Sequence, residues 1–333
     1  MAKKLRWGIL STARIGMRTV IPAIQQSGNG VVAALASRDR SRAEEAARSL
    51  GIPHTFGSYE EMLGSDLIDA VYNPLPNSLH KEWSMRAAAQ GKHILCEKPL
   101  ALNAAEADEM IAAAAKNHVV LMEAFMYRFH PQFTTLKSLL SSGLVGKVQT
   151  IRSAFTFRLD DLNNIRLRPE LGGGGLMDVG CYCVNMSRLV TGTEPVEVQA
   201  NAVVGEKSGV DESLAGILRF PDGVMAMFDC GFRTAYREWL SIAGSDGRID
   251  VPRPVKPGKE RAEVLLVHED GSVETLTAPG ANHTQLMVEN FADAVLLGQP
   301  LAYTPEDSRA NMRVIDALYE SARTASASVR RET

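Results

Sequence analysis

The feature that most constrains this chain is the alternation in its first third. Short apolar runs at Leu5–Leu10, Val31–Ala36, Leu67–Asn73, His93–Cys96 and Val119–Glu123 are separated by stretches with helical character. Arg40–Leu50 is alanine-rich with charges on one side, Ser78–Gln90 follows Asn77 as a natural N-cap, and Ala104–Asn117 completes the set. Strands that alternate with helices of ten or more residues pack as a parallel sheet covered on both faces. Such strands read as continuous apolar runs because neither face meets water. The expectation is a doubly wound α/β domain over residues 1–124.

In open α/β sheets, ligands sit outside the carboxyl ends of the strands. The first strand runs into Ser11-Thr12-Ala13-Arg14-Ile15-Gly16 and then a helix. A dinucleotide site needs small residues at this turn, so that the backbone approaches a pyrophosphate resting on the helix N-terminus. Here G-x-G-x-x-G is reduced to Ser11-x-Ala13-x-x-Gly16, which is also compatible with an ordinary strand-to-helix turn. The second strand ends in Ser37-Arg38 rather than in the acid that binds the ribose hydroxyls of NAD. A hydroxyl and a guanidinium suit a 2′-phosphate, so NADP(H) is favoured; NAD(H) remains possible because Asp39 follows. The strand His93–Cys96 stops at Glu97-Lys98-Pro99, putting an acid and a lysine where a ligand would lie. Lys98 is a candidate for proton or charge work.

At 333 residues the chain exceeds one ordinary core, and residues 125–333 read as a second domain. A helix opens at Phe129-His130-Pro131 and runs to about Ser142, and Lys147–Phe157 alternates as a strand. The polar stretch Arg158–Leu171, with Arg166 among its three arginines, suits one wall of a substrate pocket. Gly172–Gly175 reads either as a flexible linker or as a place of close backbone approach. The helix Leu176–Leu189 carries Asp178 and Tyr182 one turn apart on the same side. A phenol exchanges protons near neutral pH when an ammonium lowers its pKa, and Lys98 is the cation available. Asp178 would orient a substrate hydroxyl or anchor that lysine. Strands then dominate: Val196–Val204, Ser213–Phe220, Val224–Cys230, Trp239–Gly244 and Val264–Val267, with turns at Pro221-Asp222-Gly223, Ser245-Asp246-Gly247 and Asp270-Gly271. Helices at Val288–Leu297 and Glu306–Thr324 close the fold, His283 takes a surface or N-terminal position, and Ala325–Thr333 is expected to fray.

Several pieces together resemble the Gfo/Idh/MocA family of oxidoreductases. They are Trp7–Ala13, Ala36-Ser37-Arg38, Pro76–His80, Gly91–Pro99 and, in the second half, Gly172–Tyr182. The resemblance implies a Rossmann domain followed by an α+β domain with a large, open, mostly antiparallel sheet. That sheet pairs with another copy in the family, implying a homodimer or homotetramer. It further implies Pro76, Asn77 and His80 as nicotinamide-side contacts beside Glu97 and Lys98, with Ser11, Thr12, Ala13, Arg14 and Ile15 under the cofactor phosphates. The chain is most similar to the branch holding dihydrodiol dehydrogenases, NADP-dependent D-xylose dehydrogenases and glucose–fructose oxidoreductases. Inositol dehydrogenases carry a histidine where this chain has Tyr182 and an acid where it has Asn185. That departure favours a Lys98/Tyr182 mechanism on a sugar or cyclic diol, with Asp178 and Arg166 binding substrate. A non-catalytic NADP(H) sensor, or an enzyme that retains its cofactor and returns the hydride, stays open as an alternative.

A net charge of −3 offers no basic footprint for nucleic acid or a membrane surface. No apolar run is long enough to span a bilayer. Cys96, Cys181, Cys183 and Cys230 lack zinc or redox spacing, and no His/Asp/Glu cluster has metal spacing. Reduced thiols without a signal sequence lead to a cytoplasmic, metal-free expectation.

Overall fold

A computed structural model describes residues 3–324, so the expectation for Ala325–Thr333 falls outside the described residues. The first sheet contains β1 (Leu5–Leu10), β2 (Gly30–Ala36), β3 (His54–Phe56), β4 (Ala70–Asn73), β5 (His93–Cys96) and β6 (Leu121–Glu123). All its pairings are parallel, in the order β3-β2-β1-β4-β5-β6. Helices α1 (Ile21–Gln26), α2 (Arg40–Leu50), α3 (Tyr59–Leu63), α4 (His80–Ala89) and α5 (Ala104–Lys116) connect the strands. The winding reverses at β1, which lies between β2 and β4, and this crevice is where such sheets take ligands.

Local chemistry accounts for where these elements begin. The strand expected from Leu67 starts only at Ala70, because Arg6 takes Asp69 through its backbone N–H at 3.0 Å and its guanidinium at 2.7 Å. The helix expected from Ser78 with Asn77 as cap is instead a 3₁₀ turn, Asn77–Leu79, followed by α4. Asn77 makes no cap; its Nδ2 donates across to the Gly172 carbonyl at 2.8 Å. In α2 the Asp39 carboxylate accepts from the Arg42 N–H at 3.2 Å, closing the helix N-terminus.

The second region begins with α6 (Pro131–Ser141) and β7 (Val148–Thr156). A π-helical turn, Leu176–Gly180, leads into α7 (Cys181–Thr191). Then come β8 (Glu197–Val204), β9 (Asp211–Arg219), β10 (Met225–Gly231), β11 (Arg237–Gly244), β12 (Gly247–Val251), β13 (Ala262–His268) and β14 (Val273–Ala278). The eight-stranded sheet runs β14-β13-β12-β11-β7-β10-β9-β8, and only the β7–β10 pair is parallel. The expected turns join β9 to β10, β11 to β12 and β13 to β14.

The chain then returns to the first sheet. Helix α8 (His283–Leu297) starts earlier than the Val288 expected, because Asn282 caps it by accepting from the Gln285 N–H at 3.3 Å. The Phe291 ring lies 5.0 Å from that of Trp7 on β1, and Asn29 Nδ2 donates to Asp293 at 2.7 Å. Helix α9 (Pro305–Thr324) lies along α5, where Asp316 accepts from the Ala104 N–H at 2.8 Å. The two sheets divide after Glu123, yet α8 and α9 tie both together. Among the described residues, no helix is long and apolar enough to cross a membrane.

Two outcomes test this packing. Phe291→Ala empties a fully buried site against Trp7 and is expected to cost about 3–5 kcal/mol in urea unfolding; a loss under about 1 kcal/mol contradicts α8 as part of the core. Glu123, at the end of β6, accepts from the Leu100 N–H at 2.8 Å and is pushed up to about 7, chiefly by burial. A raised carboxyl binds its proton more tightly folded than unfolded, so its contribution is present below about pH 4.5 and lost as pH rises through 7. Glu123→Gln is therefore expected to flatten the decline in stability between pH 5 and pH 8 by about 2–3 kcal/mol. An unchanged slope refutes the assignment.

Candidate active site

Where the carboxyl ends of β1, β4 and β5 face the second sheet, a cleft of about 740 Å³ opens. Glu97 and Lys98 enter it directly from β5. Glu97 is fixed on both oxygens: Oε1 accepts from the Tyr72 hydroxyl at 2.6 Å and Oε2 from the Lys98 N–H at 3.3 Å. Burial raises its pKa, more than Lys98 and Tyr72 lower it. Lys98 Nζ reaches the other domain, donating to Asp178 Oδ1 at 3.0 Å and to the Asp178 carbonyl at 2.6 Å. Asp178 Oδ2 accepts from Arg166 Nε at 2.6 Å. Burial works to raise the Asp178 carboxyl, but Lys98 and Arg166 outweigh it and hold it at about 2. Burial works to lower Lys98, and Asp178 reverses that, leaving it above its ordinary value. Both groups are therefore charged at neutral pH.

Asp178 sits in the π turn rather than a regular α-helix, and both it and Tyr182 still face the cleft. Asp211 anchors the turn, accepting from the Leu176 N–H at 2.7 Å and from the Tyr319 hydroxyl at 2.9 Å. The glycine run before it is a close-packed wall and not a linker. A Cβ at Gly172 would collide with Leu102 and Asn77, and one at Gly174 with Asp211. Gly174 also has φ +129°, which favours glycine.

Tyr182 is 4% exposed, with its hydroxyl 3.6 Å from Met126 Sδ. Phe125, Phe155 and Tyr127 pack against its ring at 5.3, 5.6 and 5.7 Å. The Lys98 ammonium lies over the ring face, 5.3 Å from its centroid. Burial, followed by Cys181, Glu97 and Asp178, pushes the phenol well above its ordinary value. The expectation that Lys98 lowers this pKa is thus corrected: Asp178 holds the ammonium, and burial dominates.

On the nucleotide side, Ser11 has φ +75°, donates its N–H to the Ala36 carbonyl at 2.9 Å, and accepts from the Ala13 N–H at 3.2 Å. Thr12 and Ala13 complete this half-buried turn, and Arg14 and Ile15 line the cleft. The helix that follows opens with amides lacking intrahelical acceptors, so the turn fits a phosphate group. Ser37 and Arg38 lie outside the cleft lining at the end of β2, Ser37 buried and Arg38 exposed. Asp39 is spent as the α2 cap and in an ion pair with Arg42 at 3.4 Å.

Two expected nicotinamide contacts stand elsewhere. His80 is fully buried, its ring nitrogens 2.9 Å from the carbonyls of Pro99 and Leu75, and burial lowers its pKa to about 4. It braces the loops after β4 and β5 from behind and does not line the cleft; a neutral ring donates to one of those carbonyls. Pro76 likewise stands outside the lining, whereas Asn77 is part of it. Other lining residues carried no sequence signal: Phe155 and Tyr236 on the sheet side, Lys256 in a loop, and His283 at the start of α8. Among the described residues, no three His, Cys, Asp or Glu side chains converge as metal ligands.

Residues 5–125 match the oxidoreductase family described as an NAD-binding Rossmann fold, and residues 133–250 match the GFO/IDH/MocA C-terminal domain. The chain is 42% identical over 324 residues to D-xylose 1-dehydrogenase (NADP(+)) 2 of Haloferax volcanii, covering 97% of this chain and 99% of that protein. It is 36% identical to the trans-1,2-dihydrobenzene-1,2-diol dehydrogenase of Xenopus tropicalis over 74% of this chain and 75% of that one. Its structure superposes with a TM-score of 0.92 on a 3-ketoreductase from Actinomadura kijaniata solved with NADP and TDP-benzene. That ketoreductase is 30% identical, with 96% of this chain and 98% of the other covered. With the family's two domains in sequence and its fold in space, the chain belongs to the Gfo/Idh/MocA family of oxidoreductases.

Proposed function

We propose that the protein is an NADP(H)-dependent oxidoreductase that moves hydride between nicotinamide and a hydroxyl or carbonyl carbon of a sugar or cyclic diol. The observation that carries this reading is the meeting of Lys98 from β5 with Asp178 and Tyr182 from the second domain, in one cleft at the switch point. The xylose dehydrogenase and the NADP-bound ketoreductase support the cofactor and the substrate class.

The nicotinamide, when bound, supplies or accepts the hydride. Ser11, Thr12, Ala13, Arg14 and Ile15 would hold the dinucleotide's phosphates, Ser37 and Arg38 the 2′-phosphate, and Asn77 and Glu97 the nicotinamide end. The Asp39 carboxylate at this position is turned to the α2 N-terminus, where it accepts from the Arg42 N–H at 3.2 Å. Burial keeps the proton on Tyr182, which suits a donor to the alkoxide formed when a carbonyl is reduced. In the oxidative direction Tyr182 takes the hydroxyl proton only as the phenolate, which its burial disfavours, so the site as built suits reduction better. Asp178 keeps Lys98 charged and in place, and Arg166 carries further donors toward substrate oxygens. The outer face of the second sheet exposes Ile217 and Met225, and through it the chain pairs as a homodimer or homotetramer.

Tyr182→Phe is expected to cut kcat by about 10²–10⁴ while NADPH binding, followed by fluorescence, stays unchanged. Turnover within a few-fold of wild type contradicts the proton role. Arg38→Ala is expected to weaken NADPH by about ten- to a hundredfold and NADH hardly at all, since only NADPH has a phosphate to lose. Equal weakening of both removes the 2′-phosphate assignment.

A further inference from the structure

Lys256 belongs to the loop between β12 and β13 and lines the same cleft from the sheet side. Its backbone is held firmly. The buried Glu238 carboxylate accepts from the Val255 N–H at 3.2 Å and from the Lys256 N–H at 3.1 Å. Gln132 Nε2 donates to the carbonyls of Arg253 at 3.1 Å and Pro254 at 3.0 Å, and Pro254 and Pro257 stiffen the segment further. The side chain is exposed to the cleft, and Nζ lies 5.4 Å from the Phe155 ring centroid and 5.9 Å from that of Tyr236. Phe155 in turn packs on Tyr182, so the ammonium stands one ring away from the proposed proton donor. No carboxylate among the described residues pairs with Nζ, unlike Lys98 and Arg166, which share Asp178.

We propose that Lys256 is a substrate-binding, specificity-determining residue. It donates from Nζ to a hydroxyl of a sugar ring, remote from the reacting carbon, while the apolar C–H face of that ring rests on Phe155 and Tyr236. The inference rests on the sugar oxidoreductase reading and adds the group that reads the far end of the substrate. An ammonium has three donors and no acceptor, so over aromatic faces its donors are open to a ligand entering the cleft. Aromatic walls with a few placed polar groups are how pockets orient small molecules. The acceptor is a hydroxyl because the substrate class is a sugar, and the charged neighbours of Nζ, Glu238 and Asp178 against Lys98 and Arg166, offset one another.

Lys256 faces Glu238 from β11, Asp178 from the π turn, Lys98 from β5 and Arg166 from the loop before the glycine run. Burial, joined by Lys98 and Arg166, sets its pKa below the ordinary lysine value against Glu238 and Asp178, which raise it. Its charge is thus lost earlier than that of an exposed lysine as pH rises.

The test takes the sugar on which wild type shows the highest kcat/KM and the single-deoxy analogues of that sugar. Wild type, Lys256→Met and Lys256→Arg are compared, with NADPH binding measured separately by fluorescence. Wild type is expected to lose about ten- to a hundredfold in kcat/KM on one analogue. Lys256→Met is expected to lose a similar factor on the parent sugar, mainly through KM, and no longer to tell that analogue from it; Lys256→Arg restores part of the discrimination. The wild-type KM rises toward alkaline pH, and that of Lys256→Met does not. A Lys256→Met variant that keeps the wild-type KM or discrimination overturns the assignment and leaves the oxidoreductase reading intact. A tenfold or greater preference of wild type for a uronate over the neutral sugar overturns the choice of a hydroxyl. Wild type that binds NADPH yet turns over no sugar overturns the sugar reading, and this inference with it.

Discussion

The contact on which the rest depends is the one between Lys98 and Asp178. Lys98 follows β5 of the first sheet and Asp178 lies in the π turn of the second region, and both are largely withdrawn from water. Burying two such charges costs several kcal/mol apiece, which their attraction repays only when geometry is good and the remaining lone pairs are satisfied. Here Asp178 spends one oxygen on Lys98 and the other on Arg166, and its carbonyl takes a second bond from Nζ. A pair of well-packed apolar residues would hold the domains together at less cost. The charges are better understood as the working parts of a site that stability alone would not have selected.

Much of the surrounding architecture keeps that contact in place. Glu97 is fixed by Tyr72, and His80 ties the loop carrying Lys98 to the loop after β4. From the other side, Asp211 and Tyr319 pin the start of the π turn, and the glycines let the chain pass closer than any side chain would allow. Asn77 bridges to the Gly172 carbonyl, a direct bond between the nucleotide side and the glycine wall. Helices α8 and α9 then close the seam by returning from the second sheet to the first. The contacts that shape the cleft are spread over both domains.

The amino-acid sequence discloses this arrangement unevenly. β1, α2 and β5 were legible to the residue because apolar runs end abruptly in turn or charged residues. β3, β12 and β14 leave no such mark, because they are short or half-exposed and show neither strong alternation nor a continuous apolar run. Lys98, Asp178 and Tyr182 stood out because chemistry-bearing residues sat at a strand end and at helical spacing. What they do to one another did not, since the phenol's pKa depends on burial by Phe125, Tyr127 and Phe155 from distant parts of the chain. His80 looked like a ligand contact because its motif is shared with the family, while its depth is a tertiary property. Lys256 carries no local signal at all; its position is decided by a carboxylate on β11 and an amide on α6.

The most direct test of the central claim is a single-turnover experiment on the purified protein. NADPH absorbance is followed on mixing with pooled ketoses and aldoses, and NADP⁺ reduction on mixing with pooled sugars and cyclic diols. The account predicts hydride transfer on at least one pool, with NADPH or NADP⁺ bound at a single site per chain. Tight binding of the nucleotide with no transfer on any pool contradicts it, and leaves a nucleotide-binding protein whose buried Lys98, Asp178 and Tyr182 serve something other than redox chemistry.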